Sequence, residues 1–204
     1  MTIWAIVPVK PLRRGKSRLA GMLTEEQRTR LNRYLLEHVL TTLNEVKEIE
    51  HTLVVSRDPA ALAITRDMGG RTVLEDGAPQ FNTALKRATA VARMNGAHAV
   101  LVLPADLPLL TAPAVRSLLE SGQNPPVVVI APDRRENGTN GLLVNPAGLI
   151  DYSYGPGSNH LHAESAAKAG ARVVVFPSEI IGLDLDLPED LELIGGLASM
   201  HLDD

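Results

Sequence analysis

The chain has 204 residues, with 20 Lys and Arg against 24 Asp and Glu for a formal charge of −4, which argues against a general nucleic-acid binder. It contains no cysteine, so disulfides and thiolate metal sites are excluded and a reducing, cytoplasmic setting is expected. The length suits one α/β domain over 1–204, and no run approaches the 18 apolar residues of a membrane span.

The opening MTIWAIVPVK has no basic stretch ahead of its apolar residues, so it reads as a strand over 3–7 and not as a signal peptide. After it comes VPVKPLRRGKSRLA, where Lys10, Arg13, Arg14, Lys16 and Arg18 crowd a segment free of acids. Gly15-Lys16-Ser17 resembles the end of a P-loop, yet position 10 is Lys where that motif needs Gly. Two readings stay open: a solvated basic loop, or a stiff loop whose amides and cations wrap a triphosphate. Thr24 and Gln27 form a capping box, and Leu31, Leu35, Val39 and Leu43 fall on one stripe of the helix it opens.

A strand at 52–55 leads into Ser56-Arg57-Asp58, a turn that could read a base edge or cap the helix expected at 59–68, with Pro59 at its first position. A strand at 71–74 and a helix at 82–95, opened by Asn82 as its cap, come next. The run 99–103 reads as a buried strand, and beyond it Asp106 stands alone between Pro104 and Pro108. Burying an unpaired carboxylate costs several kcal/mol or neutralises it, so Asp106 is either a turn residue or a cation ligand. The two prolines limit its backbone freedom, which suits a ligand for Mg2+.

Thr111 precedes a helix at 112–121, and strands follow at 127–131 and 141–144 with the turn-rich APDRRENGTNGLLV between them, carrying Asp133, Thr139 and Asn140. In SYGPGSNHLHAES, Gly155, Gly157 and Ser158 precede a helix at 160–169, a second candidate anion site with Ser158 as N-cap. The Rossmann G-x-G-x-x-G fails there, because His160 stands at the third glycine. His160 and His162 would lie on different helix faces, which disfavours a zinc pair. After a strand at 172–176, Asp184 and Asp186 alternate with leucines in LDLDLPEDL, so an extended chain points both to one side ahead of a helix at 188–197.

Apolar runs alternating with helical periods predict a mostly parallel sheet covered by helices, with ligands at the carboxyl ends of its strands. Lys10, Asp58, Asp106 and Asp133 all follow strand ends and should gather on that edge. The cations of the first 20 residues and the acids after Arg172, down to Asp203 and Asp204, then read as two lips of one pocket for a polyphosphate with Mg2+.

Taken in order, VPVKPLRRGKSRLA, FNTAL, VLVLPADLPLLT, DRRENGTNGLL, YGPGS and LDLDLPEDL span nearly the whole chain. Together they resemble the phosphoenolpyruvate or 2-phospho-L-lactate guanylyltransferases (CofC/FbiD), which make the activated phospho-acid for coenzyme F-420. PADLP alone is shared by many MobA-like nucleotidyltransferases. The resemblance implies a Rossmann-like nucleotidyltransferase fold of the MobA-like, GT-A type, GTP as donor, Mg2+ as cofactor and a small phosphorylated carboxylic acid as acceptor. It implies metal binding by Asp106 and Asp186, catalysis by these with Lys16, and an acceptor site at Thr139, Gly155 and Ser158. GTP would meet Pro8, Lys10, Arg13, Lys16, Arg18, Ser56, Asp58, Asn82 and Ala105. Leu187 departs from the usual Asp-x-Asp-Thr-Pro of the family, and Phe81 stands where Leu is more usual.

The expected reaction is attack of the acceptor phosphate on the α-phosphorus of GTP, with pyrophosphate leaving. Phosphoenolpyruvate is the favoured acceptor, with 2-phospho-L-lactate and 3-phospho-D-glycerate left open, as is the oligomeric state. The rivals are a molybdopterin or sugar-phosphate nucleotidyltransferase on the same scaffold, and a non-catalytic GTP-binding protein.

Overall fold

Seven apolar runs pair into one sheet in the computed structural model, which describes residues 2–76 and 80–197. In chain order the elements are β1 (Ile3–Val9), α1 (Glu25–Asn44), β2 (Ile49–Ser56), α2 (Pro59–Asp67), β3 (Arg71–Leu74), α3 (Phe81–Met94) and β4 (Ala99–Val102). Then come α4 (Ala112–Ser121), β5 (Val127–Pro132), β6 (Thr139–Asn145), α5 (Ser158–Lys168), β7 (Arg172–Val175), α6 (Glu179–Gly182) and α7 (Pro188–Leu193). The acids at 203 and 204, and the last seven positions of the expected domain, lie outside the described residues.

The strand order is β3-β2-β1-β4-β6-β5-β7. Only β6 runs against its neighbours, pairing antiparallel with both β4 and β5. That reversal places the site: a strand running backwards begins at the edge where the parallel strands end. Thr139 and Asn140, first in β6, therefore share an edge with the residues that follow β1 and β4.

Both faces of the sheet are covered, which is why its central strands are apolar without alternation. Ala5, Val7 and Leu101 pack on the side of α1, α2 and α4, while Trp4, Ile6 and Val102 pack on the side of α3 and α5. Each fully buried side chain of this size contributes about 1.5–3 kcal/mol. A third cluster joins Leu19, Leu23, Leu31 and Leu35 to Leu185 and Leu191. It fastens the carboxyl-terminal acidic segment to the first helix and the basic loop, and so brings together motifs at opposite ends of the chain.

Both bonds of the capping box exist, from Gln27 N to Thr24 Oγ1 and from Thr24 N to Gln27 Oε1. Three of the helix boundaries that differ from expectation are informative. α5 begins at Ser158, with Gly157 (φ 73°) as its N-cap, so Ser158 does not cap. Gln80 precedes α3, and Asn82 lies inside its first turn. α7 ends at Leu193 because Gly195 and Gly196 take φ of 81° and 74°, the left-handed region that breaks a helix. Among the described residues no helix is long and apolar enough to cross a membrane.

Candidate active site

The loop after β1 is strapped down at Leu12, through both its amide and its carbonyl. Leu12 N donates to Asp58 Oδ2 at 2.7 Å, and Asn32 Nδ2 of α1 donates to Leu12 O at 2.7 Å. Gly15 lies against that same Asn32 amide, where an added Cβ would come within 2.5 Å of Nδ2. The chain then turns through Lys16 at φ 56°, a left-handed conformation uncommon for a residue with a side chain. This turn sends the Lys16 side chain, only 5% exposed, inward between two carboxylates.

Lys16 Nζ donates to Asp106 Oδ2 at 2.7 Å and to Asp186 Oδ1 at 3.1 Å. Burial alone would lower its pKa, but the two carboxylates outweigh that and raise it, so the ammonium stays charged. For Asp186, burial pushes the pKa up and the Lys16 charge brings it below the usual carboxylate value. Asp184 is raised, first by burial and then by the Asp106 charge. Arg18, mostly exposed, reaches to 3.6 Å from Asp186 Oδ2.

The acidic segment is held by residues that reading the chain does not single out for that purpose. Asp190, fully buried, accepts from Asp186 N at 3.1 Å and Leu187 N at 2.7 Å, while Arg134 Nη2 and Arg135 Nη2 lie 3.0 and 3.3 Å from its other oxygen. Its position at the third residue of a helix opened by Pro188 is the available signal, because an acid there reaches back to the preceding amide. Asn140 Nδ2 donates to Ile181 O, Gly182 O and Asp184 Oδ1 at 3.0–3.2 Å. Leu185 N donates to Asp106 O at 3.0 Å. Replacing Asp190 with Ala leaves two half-buried amides without acceptors and two arginines without their shared carboxylate, so Asp190→Ala should lower unfolding free energy by about 2–4 kcal/mol in denaturant titrations.

These groups line a cleft of about 470 Å³. Pro8, Lys10 and Lys16 form one wall, and Ala105, Asp106, Asp184 and Asp186 another. Thr139, Gly155 and Ser158 stand on a third side, where Ser158 Oγ donates to Thr139 Oγ1 at 3.1 Å. Asp133 also reaches the cleft, as its strand-end position suggests. Asp58 does not join it. With Arg13 and Arg14 it lines a neighbouring cavity of about 650 Å³ on the far side of the loop, and Leu12 borders both. Asp58 is occupied as the N-cap of α2, accepting from Ala60 N at 2.9 Å. Ser56 is buried, its Oγ accepting from Asp58 N at 3.0 Å. The Asn82 amide is a strap and not a cap: it accepts from Tyr154 N at 2.8 Å and donates to Tyr154 O at 3.2 Å. That strap sets Tyr154, beside Phe81, on the cleft wall.

Asp106 Oδ1 is buried and has no hydrogen-bond partner. A buried carboxylate oxygen left bare is costly, and a divalent cation is a chemically suited partner for it. Among the described residues no three His, Cys, Asp or Glu side chains converge as a complete metal cage. Mg2+ needs no such cage, since one or two carboxylates suffice when phosphate oxygens and water complete the octahedron. Lys16 engages one oxygen of each of Asp106 and Asp186; the second oxygen of Asp106 is bare, and that of Asp186 faces only the exposed Arg18 at 3.6 Å.

Residues 3–199 match the family model described as "Guanylyl transferase CofC like". The chain is 40% identical over 97% of both lengths to the phosphoenolpyruvate guanylyltransferase of Rubrobacter xylanophilus. It is 28% identical to the 2-phospho-L-lactate guanylyltransferase of Methanobrevibacter ruminantium, covering 93% of this chain and 83% of that one. Among solved structures, a nucleotidyl transferase from Methanothermobacter superposes with a TM-score of 0.67 at 16% identity, covering 98% of this chain and 97% of the other, which shows the shared fold.

Proposed function

The chain belongs to the CofC-like guanylyl transferase family, and from that premise we propose that its cleft joins GTP to a small phosphorylated carboxylic acid, with Mg2+ as cofactor. The reaction is guanylyl transfer: the acceptor's phosphate oxygen forms a bond to the α-phosphorus of GTP, and the bond from that phosphorus to the bridging oxygen breaks. The leaving pyrophosphate takes the electron pair. The acceptor phosphate is ionised near neutral pH, so no Ser, Cys or His nucleophile is required. Coenzyme F-420 biosynthesis is the setting that the family resemblance implies, and the cysteine-free composition supports a cytoplasmic enzyme.

The observation that carries this reading is the Lys16 ammonium clamped by Asp106 and Asp186 at the carboxyl edge of the sheet. Asp106 and Asp186 would hold Mg2+ through the oxygens that Lys16 leaves free, and the bound ion would neutralise charge on the phosphates. Lys10 and Lys16 face the same volume and favour the polyphosphate over water. Thr139, Ser158 and the open turn at Gly155 (φ 140°) present hydroxyls and backbone to the acceptor. Arg13 and Asp58 are turned to the adjoining cavity, and Asp58 supports the loop from behind through Leu12 N. Phosphoenolpyruvate is the acceptor favoured by the 40% identity to an enzyme named for it, against 28% for one named for 2-phospho-L-lactate.

The test is pyrophosphate release from GTP with phosphoenolpyruvate, 2-phospho-L-lactate and 3-phospho-D-glycerate in turn, with product masses determined and CTP as the donor control. Release only with GTP, fastest with phosphoenolpyruvate, is expected. Preference for CTP would indicate a different transferase on this scaffold, and GTP binding without release in any arm would indicate a non-catalytic protein.

A further inference from the structure

His162 is fully buried behind the Thr139–Ser158 wall, and the reaction above gives it no part. Its Nε2 lies 3.0 Å from the backbone N of Ser153, and its Nδ1 lies 3.1 Å from Thr139 Oγ1. A backbone N–H can only donate, so Nε2 must be the bare nitrogen of the ring. In a neutral imidazole the proton is then on Nδ1, which donates to Thr139 Oγ1. Ser158 Oγ donates to the same oxygen at 3.1 Å. With both acceptor positions of Thr139 Oγ1 filled, its own proton has one remaining use, which is to point into the cleft that Thr139 lines.

We infer that His162 is a positioning residue that fixes the Thr139 hydroxyl as a hydrogen-bond donor toward the acceptor, so that the site takes an oxyanion there and disfavours a group that must itself donate. The inference rests on the reading of the Thr139–Ser158 wall as the acceptor site. Burial pushes the His162 pKa down to about 4, so the neutral ring that this arrangement needs persists through neutral pH. The ring packs against Tyr154 in a T-shaped pair, 4.9 Å between centroids, and Tyr154 is itself strapped by Asn82. The imidazole therefore has little freedom to turn over and exchange its two partners.

Two substitutions separate the roles of the two nitrogens. Asn in place of His162 offers an amide N–H near the Nδ1 position, whereas Gln offers a carbonyl near Nε2 for Ser153 but no donor for Thr139. His162→Gln should raise KM for the phospho-acid roughly tenfold to hundredfold, with KM for GTP within about twofold of the parent. His162→Asn should recover most of that loss. If His162 acts through Thr139, adding His162→Gln to Thr139→Val should raise acceptor KM no further than Thr139→Val alone. Equal acceptor KM in a folded His162→Gln protein and the parent, additive effects in the double variant, or a parallel rise in both KM values would overturn the inference. Nitrogen NMR of the unsubstituted protein gives an answer that needs no variant: a proton on Nδ1 is expected, and a proton on Nε2 would overturn it. Failure of the function itself is distinguishable, because the unsubstituted protein would then release no pyrophosphate with any phospho-acid.

Discussion

Asp106→Asn should reduce acceptor-dependent pyrophosphate release by roughly a thousandfold or more, with the fold intact. Asparagine keeps the shape of the side chain and leaves the backbone carbonyl that receives Leu185 N in place, so the acidic segment stays docked. What disappears is one negative charge at the buried oxygen left without a partner, together with half of the clamp on Lys16. Loss of a ligand that neutralises phosphate charge is worth several kcal/mol of transition-state stabilisation, and each 1.36 kcal/mol is about a factor of ten in rate. Stability should change little, because Asp106 also raises the charging cost of Asp184, and that repulsion goes with it. GTP affinity should fall far less than turnover, since Lys10 and the amino-terminal loop are untouched. Single-turnover kinetics beside a thermal melt would check both halves, and near-normal turnover in the folded variant would remove Asp106 from the chemistry.

The sheet is legible in the sequence because its central strands are short apolar runs buried on both faces, while the half-exposed edge strands β3 and β7 keep β-branched residues after a leading arginine, and all seven lie close to where the pattern puts them. Asp106 is legible for the complementary reason, as a charge at the end of such a run. The direction of β6 is not, since an apolar run looks the same in either direction. Only the short 133–138 connection hints that it returns antiparallel beside β5. Long-range polar partners are hidden for a similar reason. Asp58 does cap a helix, as its place before Pro59 suggests, but its second oxygen binds Leu12 N. That contact spans 46 residues, and no local pattern encodes it. Asn82 reads as a cap from its place before a helix, whereas Tyr154, 72 residues on, claims its amide. Helix geometry alone sets His162 aside as a metal ligand. It faces inward, but its buried partners come from β6 and from the stretch before α5.

Lys16→Met is expected to cost nearly as much activity as Asp106→Asn, about a hundredfold or more in turnover, and to reverse the local dependence of stability on pH. Methionine has about the length of the lysine stem and fills the same buried channel, so the change is confined to charge. In the parent, burial raises the pKa of Asp186, but the nearby ammonium outweighs it and leaves the folded-state value below the ordinary one. An acid depressed in this way adds stability above its unfolded pKa and loses it as the pH falls through the folded value. Asp184 works in the opposite sense, since its raised pKa costs stability at neutral pH and that cost fades on acidification. Without Lys16, Asp186 loses its chief stabilising charge, keeps only the weaker influence of Lys10 and Arg18, and crowds with Asp106 and Asp184 at the same edge. The variant should therefore be less stable than the parent near neutral pH in the presence of a chelator, and the gap should narrow as the pH drops into the carboxylate range. Added Mg2+ should restore part of the lost stability at neutral pH, because a divalent cation can neutralise the carboxylates that the ammonium no longer pairs. Melting temperatures from neutral to about pH 4, with chelator or with Mg2+, would measure this. A gap that stayed constant with pH and ignored Mg2+ would mean that Lys16 contributes packing and not charge.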